Sequence, residues 1–137
     1  MLDFRHVEPV PLKVKSEIAP LRILSFDIEC SAAKGKFPTP DMDPVIQIAN
    51  IVNVHGEKEP IYRNVFTLKK CAPIVGSMVH SFEKESELLK AWQQFIVQVD
   101  PDIVTGYNIQ NFDFPYLVER AEFLRIRNWA HLGRLKN

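Results

Sequence analysis

The chain has 137 residues, 46% of them hydrophobic and 25% charged, which is typical of a globular protein of one domain or of part of one. Seventeen Lys and Arg residues balance seventeen Asp and Glu residues, so the net charge gives no sign of a strongly basic nucleic-acid-binding protein. No apolar run approaches the ~18 residues of a membrane span, and the first residues lack the apolar core of a secretory signal.

The two cysteines, Cys30 and Cys71, lie far apart and form no CxxC or Cys/His pattern. This spacing disfavours a disulfide framework and a zinc site, and it favours a reducing compartment.

The first half of the chain predicts an extended lead-in followed by three strands. Residues 1–20 contain three prolines and show neither helical nor strand periodicity in their apolar residues, which indicates an extended segment. The next residues, LRILSFDIEC, are apolar and β-compatible and end at a polar loop, so they predict a strand. Two further runs, VIQIANIVNV and IYRNVFTL, flank a turn-forming stretch and predict an antiparallel pair.

The remainder of the chain predicts helix, strand and helix. Apolar residues recur at helical spacing from about Glu83 to Val99, with polar residues on the other face, which indicates an amphipathic helix. The run DIVTG predicts a short buried strand. A second helix is predicted from Phe114 to about Ile126, with Asp113 at or near its cap and Pro115 in its first turn.

This order of elements predicts an α/β fold in which helices cover a mixed sheet. We expect the first strand to lie between the fourth strand, as its parallel neighbour, and the antiparallel pair. Trp92, Phe95 and Ile96 should pack on the sheet. From Arg120 onward, basic residues outnumber acidic ones, which indicates either a solvated helix face or a basic binding surface.

Two carboxylates stand on one face of the first predicted strand. Asp27 and Glu29 are two residues apart, so their side chains project from the same side. Within an apolar strand, two like charges are costly unless a cation or hydrogen-bond donors offset them. A divalent metal site is one interpretation, and an acidic strand face in water or paired with Lys or Arg is the other.

The string GYNIQNFDFPYL, between the fourth strand and the second helix, supplies a second polar group. It contains Asn108, Asn111 and Asp113. In open α/β sheets, ligands bind at the carboxyl ends of strands, so Asp113 should approach Asp27 and Glu29 if the first and fourth strands are neighbours. The alternative for Asp113 is a structural helix cap.

These two groups together resemble a known family. Phe26-Asp27-Ile28-Glu29 resembles the first motif of the DEDD-type 3′-to-5′ exonucleases. The run YNIQNFD, which ends at Asp113, resembles the second motif in its family B DNA polymerase form. The likeness spans roughly Leu21 to Gly133 and implies an RNase H-like core. Residues 1–20 would then be the lead-in from a preceding N-terminal region, and residues 21–137 part of the proofreading exonuclease domain.

The resemblance implies a two-metal mechanism. In this family four carboxylates hold two Mg²⁺ or Mn²⁺ ions, of which one generates the hydroxide nucleophile and the other stabilises the leaving 3′ oxygen. By motif match, Asp27 would bridge both ions and Glu29 would bind the ion on the nucleophile side. Asp113 would hold the other ion, partly through water.

The resemblance also implies the substrate, partners and compartment. The substrate would be the single-stranded 3′ end of a DNA primer, with Asn108, Asn111 and Phe112 as candidate DNA contacts. The partners would be the remaining polymerase domains and accessory subunits, with no membrane, and the compartment would be the nucleus. An iron–sulfur cluster is implied only for a cysteine-rich C-terminal region that this sequence does not contain.

The fourth carboxylate of the family lies in a third motif, Tyr-x-x-x-Asp. After the second motif this sequence has no match, because Asn111 follows Tyr107 by four residues and Arg120 follows Tyr116 by four. We therefore expect a fragment of the domain, truncated before its last strand and helix. The alternative function is a catalytically silent piece that binds DNA or only packs within a larger polymerase. A stand-alone nuclease is disfavoured because it would need the missing helix.

Overall fold

The computed structural model describes residues 20–129 and the backbone of residues 131–132 and 135–136. Of the predicted lead-in, only Pro20 falls inside this range. The elements are, in chain order, β1 (Arg22–Cys30), β2 (Val45–Val54), β3 (Tyr62–Leu68), β4 (Met78–Phe82), α1 (Glu85–Val99), β5 (Ile103–Thr105), a π-helical segment (Ile109–Asp113), α2 (Phe114–Phe123), β6 (His131–Leu132) and β7 (Leu135–Lys136).

The first five strands form one mixed sheet in the order β4-β3-β2-β1-β5. β1 pairs antiparallel with β2 and parallel with β5, and β2 pairs antiparallel with β3. The predicted position of the first strand, between its parallel neighbour and the antiparallel pair, is confirmed, as is the α/β class. β6 and β7 form a separate two-stranded sheet.

Sequence reasoning missed β4 and misjudged β5. β4 is a short edge strand, parallel to β3, whose side chains are exposed or half-buried, so it carries no apolar alternation that could reveal it. The run DIVTG was predicted to be buried, but Ile103 and Thr105 are exposed. β5 lies at the other edge of the sheet, where one side is open to solvent.

The core lies between one face of the sheet and the two helices. Trp92 and Ile96 of α1 are fully buried, and Phe95 packs against the core from its margin. The Phe26 ring of β1 lies 5.0 Å from the Trp92 ring, and Phe66 of β3 lies 5.6 Å from Phe95. The prediction that these α1 residues pack on the sheet is confirmed.

Two buried asparagines are satisfied within this core. The Trp92 indole N–H donates to Asn50 Oδ1 at 2.9 Å, and Asn50 Nδ2 donates to Asn64 Oδ1 at 2.9 Å. Asn50 and Asn64 are direct partners in the β2–β3 register. Because an unpaired buried amide costs about 1–3 kcal/mol, this chain of hydrogen bonds favours one register of the two strands and one position of α1.

A buried ion pair joins the two helices. Arg120 of α2 binds Glu85 of α1 through two contacts, of 2.7 and 2.8 Å, and both side chains are only 8% exposed. Glu85 also accepts a hydrogen bond from the Val45 N–H at the start of β2, and Arg120 donates to the Pro40 carbonyl. Arg120 therefore does not belong to a solvated basic face.

This ion pair generates a stability prediction. Arg120→Met should lower the free energy of unfolding by about 3–5 kcal/mol, because it leaves the Glu85 carboxylate buried without its counter-charge. The exposed Arg127 provides the control, since Arg127→Met should change stability by no more than about 0.5 kcal/mol. Urea denaturation of the three proteins measures both effects, and equal small losses would show that the pair does not hold α1 and α2 together.

Candidate functional site

Asp27 and Glu29 project from the face of β1 opposite the core. The neighbouring residues Phe26 and Ile28 are buried against the helices, whereas both carboxylate side chains are exposed. Alternation along the strand thus places the two acids on one solvent-accessible face, so neither carries the desolvation cost that a buried pair would have.

Asp113 is the last residue of the π-helical segment and is only 2% exposed. Its Oδ2 accepts a hydrogen bond of 3.1 Å from the Ile28 backbone N–H. β5 pairs with β1 only as far as Thr105 opposite Ser25. The Asp113 carboxylate therefore satisfies a strand N–H at the point where β1 continues beyond its short neighbour.

Asp113 occupies the N-cap position of α2, as the sequence predicts, but the interpretation of its side chain as a structural helix cap is wrong. Asp113 has helical dihedral angles, φ −60° and ψ −52°, and its side chain makes no capping hydrogen bond. The π-helical segment runs directly into α2, so Asp113 lies inside a continuous helical path and its carboxylate faces β1. The prediction of Pro115 in the first turn of α2 is confirmed.

The environment of Asp113 makes its charge unfavourable. Burial raises the pKa of the Asp113 carboxyl, the nearby Asp27 carboxylate raises it further, and the Ile28 N–H opposes both. Because Asp27 directly precedes Ile28, covalent geometry keeps the two carboxylates within roughly 9 Å of each other. The structure therefore brings Asp27 and Asp113 together at one edge of β1.

The three acids are not assembled into a single cluster. In residues 20–129, no three or more His, Cys, Asp or Glu side chains are grouped so that they could hold a metal ion. Like charges repel, and exposed carboxylates gain hydration by extending into water. Glu29 shares a face with Asp27, but its side chain does not complete a cluster with Asp113.

The predicted DNA contacts Asn108 and Asn111 lie at and within the π-helical segment that ends at Asp113. Asn108 has a left-handed backbone with φ 56°, a conformation that Asn tolerates better than most residues. Its Oδ1 accepts a hydrogen bond of 3.1 Å from Asn111 Nδ2. Both side chains are exposed and line an open cleft of about 280 Å³, together with Thr105, Gly106 and Gln110. Asn108 thus has a local structural role in addition to any binding role.

Phe112 lies between two other aromatic rings. It is half-buried, with its ring 5.6 Å from Phe37 and 5.4 Å from Tyr116. Phe37, in the loop of residues 31–44 between β1 and β2, is 77% exposed. Sequence reasoning did not single it out. The available signal was an aromatic residue followed by proline in the loop directly after the acidic strand.

The β1–β2 loop is fixed to α2 by polar contacts. The Tyr116 hydroxyl donates to the Asp43 carbonyl at 2.7 Å, and Arg120 donates to the Pro40 carbonyl at 3.0 Å. The exposed ring of Phe37 is therefore presented by an anchored loop.

Cys30, the residue after Glu29, is not a candidate nucleophile. Burial raises the pKa of the Cys30 thiol to about 11. Its sulfur therefore stays protonated at neutral pH, and the thiolate that would be the nucleophile is absent.

The helices that the structure describes are too short and too polar to cross a membrane.

Comparisons with known proteins agree with the motifs of β1 and the π-helical segment. A family model described as DNA polymerase family B, exonuclease domain, matches residues 1–137. The chain is 61% identical over 133 residues to the DNA polymerase delta catalytic subunit of Drosophila melanogaster, with 97% of this chain and 12% of that protein covered. It is 54% identical over 122 residues to that of Schizosaccharomyces pombe, with 89% and 11% covered.

A solved structure shares both fold and sequence with this chain. The family B DNA polymerase from the hyperthermophilic archaeon Pyrobaculum calidifontis superposes with a TM-score of 0.56 at 33% identity, covering 78% of this chain and 12% of that chain. This chain thus spans about an eighth of the length of the proteins that it matches. The family match over all 137 residues shows that the chain belongs to DNA polymerase family B, within its exonuclease domain.

Proposed function

We propose that this chain is part of the proofreading 3′-to-5′ exonuclease domain of a delta-type replicative DNA polymerase. Asp27, Glu29 and Asp113 are its proposed catalytic and metal-binding residues. The observation that carries this proposal is the Asp113 carboxylate, buried on the β1 edge next to Asp27. A buried carboxylate with a raised pKa beside a second acid is a typical arrangement at functional sites.

The donor set fits a hard divalent cation. All three residues offer carboxylate oxygens, the ligands that Mg²⁺ and Mn²⁺ prefer, and a cation would remove the unfavourable charge at Asp113. Two bound ions would supply a hydroxide nucleophile and stabilise the leaving 3′ oxygen. The carboxylates of this chain would orient the ions. Asp27 shares one face of β1 with Glu29 and lies near Asp113, which is fixed by the Ile28 N–H, so Asp27 could hold an ion together with either acid.

The surroundings suit a single-stranded DNA end. Frayed nucleotides bind through stacking on aromatic rings and through contacts that do not depend on sequence. Phe112 is the proposed stacking surface, with the exposed Phe37 ring against it. Asn108 and Asn111 present their amides beside the adjoining cleft and are the proposed polar contacts. The wider partners are the other polymerase domains and accessory subunits, and the proposed compartment is the nucleus.

The first experiment removes the exposed acids in the polymerase polypeptide that contains this chain. Asp27→Ala or Glu29→Ala should lower mismatch removal by about a hundredfold or more, since loss of even an indirect metal contact costs about 10–100-fold. Nucleotide addition should be unchanged because it takes place outside this domain. Glu57→Ala, an exposed acid in the turn between β2 and β3, is the matched control. Loss of both activities would indicate misfolding and would remove the support for a metal site.

The second experiment separates function from stability at Asp113. Asp113→Asn keeps an oxygen acceptor for the Ile28 N–H but removes a charge that burial and Asp27 disfavour. Stability at neutral pH should therefore be unchanged or higher, while hydrolysis of single-stranded 3′ ends falls by about a hundredfold. Urea denaturation and a single-turnover nuclease assay measure the two effects. A less stable variant with normal hydrolysis would assign Asp113 a purely structural role.

A second candidate function is a non-catalytic part of a polymerase. One observation favours it. Among the residues that the structure describes, no three acids are grouped so that they could hold a metal ion. A polypeptide of these 137 residues alone should then hydrolyse single-stranded DNA at little above background, even at high Mn²⁺, because the family site needs a fourth carboxylate. The longer polymerase polypeptide is the positive control. Efficient hydrolysis by the short polypeptide that disappears with Asp27→Ala would show that three carboxylates suffice.

A further inference from the structure

We infer that Gly106 is a positioning residue for the proposed exonuclease reaction. Gly106 is the first residue after β5, and it packs directly on the backbone of β1. It thereby sets how closely the segment that ends at Asp113 approaches Asp27. The inference rests on the proposed function, because it assigns Gly106 to the same site.

The space at Gly106 does not admit a side chain. A Cβ atom there would lie 2.6 Å from the Phe26 carbonyl oxygen and 2.5 Å from Cγ2 of Ile109, both far inside van der Waals contact. The Phe26 oxygen cannot move away without disturbing the β1–β2 pairing, because Phe26 is held in β1 opposite Asn50 of β2. The Ile109 side chain is also confined, since Ile109 is only 8% exposed and belongs to the core.

The requirement at Gly106 concerns space and not backbone conformation. Gly35, Gly56 and Gly76 adopt positive φ angles, and a Cβ atom at any of them would have no atom within 4 Å apart from those of its own residue and its two chain neighbours. Gly106 has no such φ, yet a Cβ atom there would meet two atoms at once. The φ angle at position 106 therefore does not require glycine. Alanine there would act through steric overlap of its Cβ with Phe26 and Ile109.

Two contacts of this segment with β1 lie next to Asp27. Gly106 touches the carbonyl of Phe26, and Asp113 accepts the N–H of Ile28. Phe26 and Ile28 are the two neighbours of Asp27 in the chain, so the segment from Gly106 to Asp113 brackets Asp27. A Cβ at one end must either lift the segment from β1 or push Ile109, the first residue of the π-helical segment whose last residue is Asp113.

The test uses Gly106→Ala in the polymerase polypeptide that contains this chain. Hydrogen exchange of the Ile28 amide reports the Asp113 contact without any reaction, and it should become faster while exchange in α1 is unchanged. Single-turnover hydrolysis of a single-stranded oligonucleotide should slow by between about ten- and a hundredfold, as for a displacement of about 1 Å at a reacting centre. KM for the oligonucleotide and the rate of nucleotide addition should be unchanged.

Two further variants make the result specific. Gly76→Ala, which strains the backbone near the opposite edge of the sheet, controls for destabilisation alone and should leave hydrolysis and Ile28 exchange unaffected. Gly106→Ala/Ile109→Ala removes one of the two close contacts but keeps the one with Phe26. If Gly106→Ala loses nucleotide addition through misfolding, the double variant should recover addition but not hydrolysis.

The outcomes separate this inference from the proposed function. Normal hydrolysis and normal Ile28 exchange in Gly106→Ala would overturn the inference. Complete recovery of hydrolysis in the double variant would show that the effect passes through Ile109 alone, and it would overturn the claim that the contact of Gly106 with β1 sets the spacing. Hydrolysis that survives Asp27→Ala on the same oligonucleotide would instead overturn the proposed function, whatever Gly106→Ala does.

Discussion

The hydrogen bond from the Ile28 N–H to the Asp113 carboxylate is the contact on which the site depends. β5 is three residues long and stops opposite Ser25, so β1 extends past its neighbour with backbone groups to satisfy. If β5 were longer, one of its backbone carbonyls could accept the N–H of Ile28, and no charged group would be needed there. The chain instead uses a carboxylate, which completes the sheet edge and places a second acid beside Asp27.

The same helical path connects this contact to the rest of the fold. Asp113, Tyr116 and Arg120 recur at a spacing that lies along one side of a helix, and all three are buried. Tyr116 and Arg120 hold the β1–β2 loop, and Arg120 also binds Glu85 at the start of α1. The position of Asp113 is therefore determined by packing across two helices and a loop, which is the support that its proposed catalytic role would need.

The sequence predicted what depends on local periodicity. Alternation in LSFDIEC correctly placed Asp27 and Glu29 on one face, and the apolar stripe of α1 correctly identified the residues that cover the sheet. It could not predict β4, whose side chains are largely exposed, or the partner of Arg120, because Glu85 is distant in the sequence. Asp113 was predicted only in part. It occupies the N-cap position that its place before Pro115 predicts, but only the structure shows that its carboxylate binds the Ile28 N–H and does not cap the helix. The glycine at position 106 likewise had no distinguishing feature until its distance to Phe26 was known.

The central claim is that Asp27 and Asp113 act as one unit, and a double-mutant cycle tests it most directly. Single-turnover hydrolysis of a single-stranded oligonucleotide is measured for the polymerase polypeptide with Asp27→Asn, Asp113→Asn and both substitutions. Residues that act together show non-additive losses, so the double variant should be about as slow as the slower single variant. If the two losses multiply instead, the carboxylates act independently, and a shared site at the edge of β1 is contradicted.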